Sequence, residues 1–154
     1  MWIDQAKTTI ARHEGIRLAP YKDSLGVPTI GAGFNMSRPD ARARLAAVGL
    51  RSWAPPIRLT MVQVFQLLDL DVADCVADCK QAVGGFDALS DNRKIVLCDM
   101  RFNLGPMRFR AFRRMLDDVA AKKFDQAANE MLSSIWAEQV GQRATENAEL
   151  MRNG

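Results

Sequence analysis

Residues 13–33 read "HEGIRLAPYKDSLGVPTIGAG". The stretch puts an acid at Glu14, a second at Asp23, a hydroxyl at Thr29 and glycines at 31 and 33. Strand-forming Tyr21, Val27, Thr29 and Ile30 surround the turn-rich "DSLG". The pattern predicts a β-hairpin over 17–34, with room for a third short strand. Glu14 follows the first helix and Asp23 sits at the hairpin turn, and glycoside hydrolysis needs two such acids. One must stay protonated to serve the leaving oxygen, and the other ionised to attack or to activate water. The same residues also have plain structural readings. Asp in a turn commonly bonds its own backbone, and Glu after a helix is commonly solvated.

Outward from the hairpin the chain becomes helical. Ile3, Ala6 and Ile10 give residues 3–12 one apolar face. "SRPDARARLAAVG" predicts a helix with Ser37 as N-cap, Pro39 in the first turn and Gly49 as its stop. Adjacent prolines make "RSWAPPIRL" a connector. Pro28 cannot donate to a ladder, which predicts an edge strand. From Thr60 to about Ala82 apolar residues recur at three and four residue spacing, the longest periodic run in the chain, ended by "GG" at 84–85. Ser90 caps a further helix that stops at Gly105 and Pro106, and shorter helices are expected at 109–121, 124–134 and 142–152. The fold class is α+β, predominantly helical, with a small sheet in the N-terminal third. One domain of 154 residues is expected, in two lobes at about 13–59 and 82–154, with helix 1–12 packing on the second lobe. A connecting helix at about 60–82 would leave a cleft between the lobes.

Composition narrows the function classes. Hydrophobic residues are 48% and charged residues 25%, ordinary for a globular chain. No apolar run is long enough to predict a membrane span. "MWIDQAKTTIARHEG" lacks the apolar core of a signal peptide, so synthesis in a cytoplasm is expected. A net charge of +3 gives a mild bias toward anionic partners without choosing among them. Cys75, Cys79 and Cys98 are odd in number and read as buried free thiols. With His13 the only histidine, no metal site is expected, and no cofactor either. "MRFNLGPMRFRAFRRM" interleaves five arginines with three phenylalanines. Such a stretch suits a solvated face over a Phe-lined core, or an anionic membrane or single-stranded nucleic acid. A nucleic-acid module would leave the register of Glu14, Asp23 and Thr29 unexplained, so no nucleic acid is expected as partner.

The 13–33 stretch also resembles the active-site segment of the phage-type lysozymes, the endolysin family that includes the T-even phage lysozyme. That family carries E-G-x-x-L-x-x-Y-x-D-x-x-G-x-x-T-I-G-x-G. Glu14, Gly15, Leu18, Tyr21, Asp23, Gly26, Thr29, Ile30, Gly31 and Gly33 match it without a gap. "FNLGPMRFRAFRRML" at 102–116 resembles the family's stretch joining two helices of the C-terminal lobe, and "WAEQVGQRA" at 136–144 its W-x-x-Q-x-x-x-R-A element. The resemblance implies a lysozyme-like fold and an inverting enzyme. It would cut the β-1,4 bond between N-acetylmuramic acid and N-acetylglucosamine in peptidoglycan, and so lyse the host cell. Glu14 would be the general acid, with Asp23 and Thr29 holding the attacking water. Arg143 would pair with Glu14, and Phe102 would be a sugar-contacting aromatic. A monomer is expected, reaching the periplasmic wall from the cytoplasm through a holin pore or by delivery in a virion. The alternatives are a lytic transglycosylase giving a 1,6-anhydro product and a non-catalytic wall-binding module. The sequence departs from the family at Phe34, where a His that pairs with a carboxylate such as Asp71 is frequent. It departs again at Met115 and Glu130, where sugar-contact positions of other type are expected.

Overall fold

The computed structural model describes all residues from Met1 to Gly154. Three strands and eight α-helices follow in the order α1 (Trp2–Glu14), β1 (Arg17–Lys22), β2 (Pro28–Gly31), β3 (Phe34–Asn35), α2 (Ala41–Ala47), α3 (Met61–Ala82), α4 (Asp91–Arg110), α5 (Arg113–Ala120), α6 (Phe124–Leu132), α7 (Ile135–Val140) and α8 (Gln142–Asn153), with one 3₁₀ turn at Phe86–Ala88. The α+β class is as expected. The chain divides into two compact units. One is Lys7–Ala73, and the other is Met1–Ala6 with Asp74–Gly154.

In the Lys7–Ala73 unit the sheet is antiparallel in the order β1-β2-β3. Tyr21 pairs with Thr29 and Lys22 with Pro28, while an irregularity between Arg17 and Tyr21 bends β1. Pro28 therefore lies in the central strand, not at an edge. It is tolerated because it is the first residue of that strand, and its carbonyl still accepts from Met36 N at 2.8 Å. Ile30, Phe34, Leu45, Leu59, Leu68 and Val72 are buried in this unit. Close packing brings Val64 and Leu59 within 3.5 to 3.6 Å of where a Cβ on Gly31 would stand.

Local chemistry explains the helix boundaries. Thr60 and Gln63 form a reciprocal cap at the start of α3: Gln63 N donates to Thr60 Oγ1 at 3.2 Å, and Thr60 N to Gln63 Oε1 at 2.8 Å. Ser90 Oγ accepts from Arg93 N at 3.4 Å and caps α4 as expected. The α2 expectation fails at its start. The helix begins at Ala41 behind Asp40, so Ser37 is not a cap and Pro39 precedes the first turn. Asp40 is turned instead to the guanidinium groups of Arg38 and Arg44. Gly105, at φ 76° and ψ 166°, breaks α4 where a stop was expected, but helix resumes through Pro106 to Arg110. Pro106 opens that second segment, where its missing N–H costs nothing. The short α7, capped by Ser134 through Ala137 N, was not expected.

In the other unit one apolar cluster joins α3, α4, α5, α6, α7 and α8, and includes Phe86, Leu97, Met100, Phe109, Met131, Trp136 and Met151. Cys75, Cys79 and Cys98 are free and fully buried within it. A hydrogen bond with Cys98, reinforced by burial, pushes the Cys79 thiol far above its ordinary range.

Candidate active site

Glu14 is the last residue of α1, half-buried. Its carboxyl lies against the backbone of the β2–β3 turn. A Cβ on Gly33 would come within 3.0 Å of Glu14 Oε2, and the φ of +73° at Gly33 independently requires glycine. Tyr21 on β1 senses both acids. Its hydroxyl pKa is raised, chiefly by burial and next by the charge on Glu14, with a smaller contribution from Asp23; Arg17, stacked over the ring at 4.5 Å, opposes them.

Asp23 closes the hairpin. Its Oδ1 accepts from Leu25 N at 2.9 Å and Val27 N at 2.8 Å, and its carbonyl accepts from Gly26 N at 2.9 Å. The structural role of a turn aspartate is thus present, and it commits only Oδ1. Thr29, buried on β2, donates its hydroxyl proton to Val27 O at 2.9 Å. Asp23 N donates to that same carbonyl at 3.0 Å. Thr29 Oγ1 and Asp23 N are therefore no farther apart than those two distances combined. With its proton committed, Thr29 Oγ1 can act toward a further ligand only as an acceptor, as can Asp23 Oδ2 when ionised. The turn thus presents two acceptors and no donor from this pair.

The other two expected residues belong to the second unit. Phe102 on α4 is half-buried and packs its inner side on the apolar cluster. Arg143, in the first turn of α8, is 9% exposed. Its Nε and Nη2 donate to Asp99 Oδ2 and Oδ1 at 2.9 and 2.8 Å, a bidentate contact. Asn147 Nδ2 adds a bond to Asp99 Oδ2 at 2.7 Å. Four residues along α4, Asn103 Oδ1 accepts from Trp136 Nε1 at 2.9 Å. Sequence reasoning passed over Asp99 and Asn103. Both are short polar residues, at i and i+4, in the stretch of α4 that also carries the buried Ile95, Val96, Leu97, Cys98 and Met100.

The carboxylate expected to lose its partner has new ones. Asp71, 6% exposed, accepts from Arg38 Nη1 at 2.8 Å and Arg44 Nη1 at 3.2 Å, and Arg38 also stacks over Phe34 at 5.2 Å. Met115 and Glu130, the two departures from the family pattern, line one open cavity of about 430 Å³ together with Phe112, Arg113, Arg114 and Ser134. No helix is long and apolar enough to cross a membrane.

Comparison with known proteins places these residues in context. The phage lysozyme family model matches residues 11–151. The chain is 30% identical over 146 residues to the pre-baseplate central spike protein Gp5 of Enterobacteria phage T4, covering 88% of this chain but only 25% of that protein. It is 30% identical over 132 residues to the endolysin of Salmonella phage P22, covering 84% of this chain and 78% of the endolysin. It is 28% identical over 166 residues to a probable T4-type lysozyme of Dictyostelium discoideum, covering 99% and 96%.

Proposed function

This chain belongs to the phage lysozyme family, the lysozyme-type glycoside hydrolases of peptidoglycan, and we propose that it cuts the β-1,4 bond between N-acetylmuramic acid and N-acetylglucosamine by single-step inversion. Glu14 gives its proton to the glycosidic oxygen as the bond to the anomeric carbon breaks. A water held by Asp23 and Thr29 attacks that carbon from the opposite face. Asp23 takes a proton from the water, and exchange with solvent restores both carboxyl groups.

The observation that carries this reading is the shared bond to Val27 O. Thr29 and Asp23 N donate to one carbonyl, which keeps the Thr29 hydroxyl close to the residue that carries the Asp23 carboxylate and supports one water bridging Thr29 Oγ1 and Asp23 Oδ2. A water there donates both hydrogens to the protein and keeps a lone pair for attack. A nucleophilic Asp would have no use for the Thr acceptor. Close approach of the Gly33 backbone holds the Glu14 carboxyl in place. On the family motif, Arg143 is the ion-pair partner of Glu14 and Phe102 a sugar contact.

The biological setting proposed with it is that of an endolysin. The wall is the substrate and host lysis the outcome. A monomer made in the cytoplasm would gain the periplasm through a holin-type pore or by delivery in a virion. Product analysis of digested peptidoglycan tests the reaction. Free reducing-end muramic acid is expected, lost in Glu14→Gln. A 1,6-anhydro product would make the chain a lytic transglycosylase, and undiminished lysis by Glu14→Gln would remove the acid role.

A further inference from the structure

The arginine- and phenylalanine-rich stretch at 100–115 folds with its two kinds of side chain on different sides. Phe109 is buried in the apolar cluster, and Phe102 and Phe112 pack against it, Phe112 edge-on to Trp136 with ring centroids 6.3 Å apart. Met107, Arg108, Arg110, Arg113 and Arg114 are exposed. With its phenylalanines committed to the core, the stretch offers no platform on which bases could stack. Its outward face is basic and carries one large apolar side chain.

That face continues onto the link between α6 and α7. Arg108 Nη2 donates to Gln139 Oε1 at 3.2 Å. Gln139 lies one turn along α7 from Ile135, on the same helix face. Arg113 and Arg114 line an open cavity with Ser133 and Ser134, the residues between Leu132 and Ile135. From Asp74 to Gly154 the large apolar side chains left exposed are Met107 at 84%, Ile135 at 72% and Leu132 at 39%. All three border this one patch, where single scattered residues would be ordinary. Asp78 takes up Arg101 and Arg110, but Arg108, Arg113 and Arg114 form no ion pair. The carboxylates on the neighbouring turns, Asp117, Glu130 and Glu138, pair with none of them.

We propose that this patch is a membrane-docking surface, seating Met107 and Ile135 at the headgroup boundary of a bilayer rich in anionic phospholipid, with Arg108, Arg113 and Arg114 on its phosphates. Apolar side chains ringed by cations are the composition that such an interface takes up. Long arginine stems let the guanidinium groups stay at the headgroups while the apolar side chains go deeper. An anionic sugar polymer would satisfy the arginines, but it has no apolar interior for Met107 and Ile135. The contact is peripheral, since no helix is long and apolar enough to cross a membrane. None of these residues takes part in the proposed reaction, so docking and catalysis are separable.

The test is co-sedimentation of the full chain with vesicles of phosphatidylglycerol and phosphatidylethanolamine in equal parts, against vesicles of phosphatidylcholine. Binding is expected to the first, weakening as salt is added, and to be at least about tenfold weaker to the second. Met107→Ser with Ile135→Ser should lower the partition coefficient by about tenfold or more. Arg113→Gln with Arg114→Gln should lower it by about 30-fold at low salt. Met61→Ser with Val62→Ser is the control, an exposed apolar pair at the start of α3, and should leave binding unchanged. No binding to the anionic vesicles, or equal binding to phosphatidylcholine, overturns the proposal. An equal loss in the control pair overturns the choice of patch. Full vesicle binding by the Met107 and Ile135 variant overturns it as well. If the arginine variant binds vesicles fully but loses retention on isolated peptidoglycan, the face is a wall-binding surface and the membrane role falls.

Discussion

Gly33 and Glu14 are in contact so close that a methyl on the glycine would stand 3.0 Å from the glutamate Oε2 and 3.1 Å from its Cδ and Cγ. A backbone without a side chain thus forms one wall of the acid's pocket. Gly33→Ala is expected to cost roughly 1–2 kcal/mol of stability from its left-handed φ, and additionally to lower kcat by about 100-fold as the carboxyl is pushed aside. Gly85→Ala is the control: φ is +80° there, and nothing lies within 4 Å of the added carbon. It should show the stability loss alone, read by thermal midpoint against lysis rate.

Thr29→Val keeps the shape of the side chain and removes its oxygen. Val27 O would lose one of its two donors, and the proposed water one of its two acceptors. A fall in kcat of about 100-fold with little change in KM is expected, within the range for general acid–base catalysis. A change confined to KM would place Thr29 in sugar binding instead.

Asp71 sits between Arg38 and Arg44, and Asp40 closes the network from the other side. Removing Asp71 as Ala leaves two guanidinium groups facing each other beside a buried gap, and should cost about 3–5 kcal/mol. Activity per folded molecule should be intact. Asp40 adds a pH signature. Hydrogen bonding to Arg38, with help from Arg44 and against a smaller cost of burial, holds its carboxyl below the usual range. A group with a depressed folded pKa stabilises the fold above its unfolded pKa and loses that contribution as pH falls through the folded value. The stability difference between wild type and Asp40→Asn should therefore be full at neutral pH and shrink below about pH 4. Denaturant titrations at pH 7 and pH 3 measure it.

Cys75, Cys79 and Cys98 are buried together, with Arg101 Nη1 3.8 Å from Cys75 Sγ. With the Cys79 thiol held protonated by Cys98 and by burial, native protein should react very slowly with an alkylating reagent. All three thiols should react at once in denaturant. Rapid labelling of the native chain would contradict this packing.

Much of this structure was legible because its signals are local. The hairpin announced itself through alternation around a glycine turn, α3 through its periodicity and α4 through Ser90. Asp23 and Thr29 were readable by chain spacing, since both their bonds run to Val27 in the same turn. What stayed hidden depends on partners distant in sequence. Asp99 meets Arg143 across 44 residues, and Asn103 meets Trp136 across 33. Neither pairing leaves a trace in spacing. Ser37 misled because a cap is decided by competition. Arg38 and Arg44 draw Asp40 into the network on Asp71, and the helix starts behind it. Pro28 misled for a similar reason, since its position as first residue lets it enter a central strand.

In the proposed reaction Asp23 and Thr29 deliver water while Glu14 delivers the proton. Proton NMR of the newly formed reducing end, recorded on a soluble peptidoglycan oligosaccharide before mutarotation, tests it most directly. The α-anomer is expected as first product, inverted from the β-linked substrate. A β-anomer as first product, or a glycosyl adduct trapped on Asp23 and seen by mass, would contradict it.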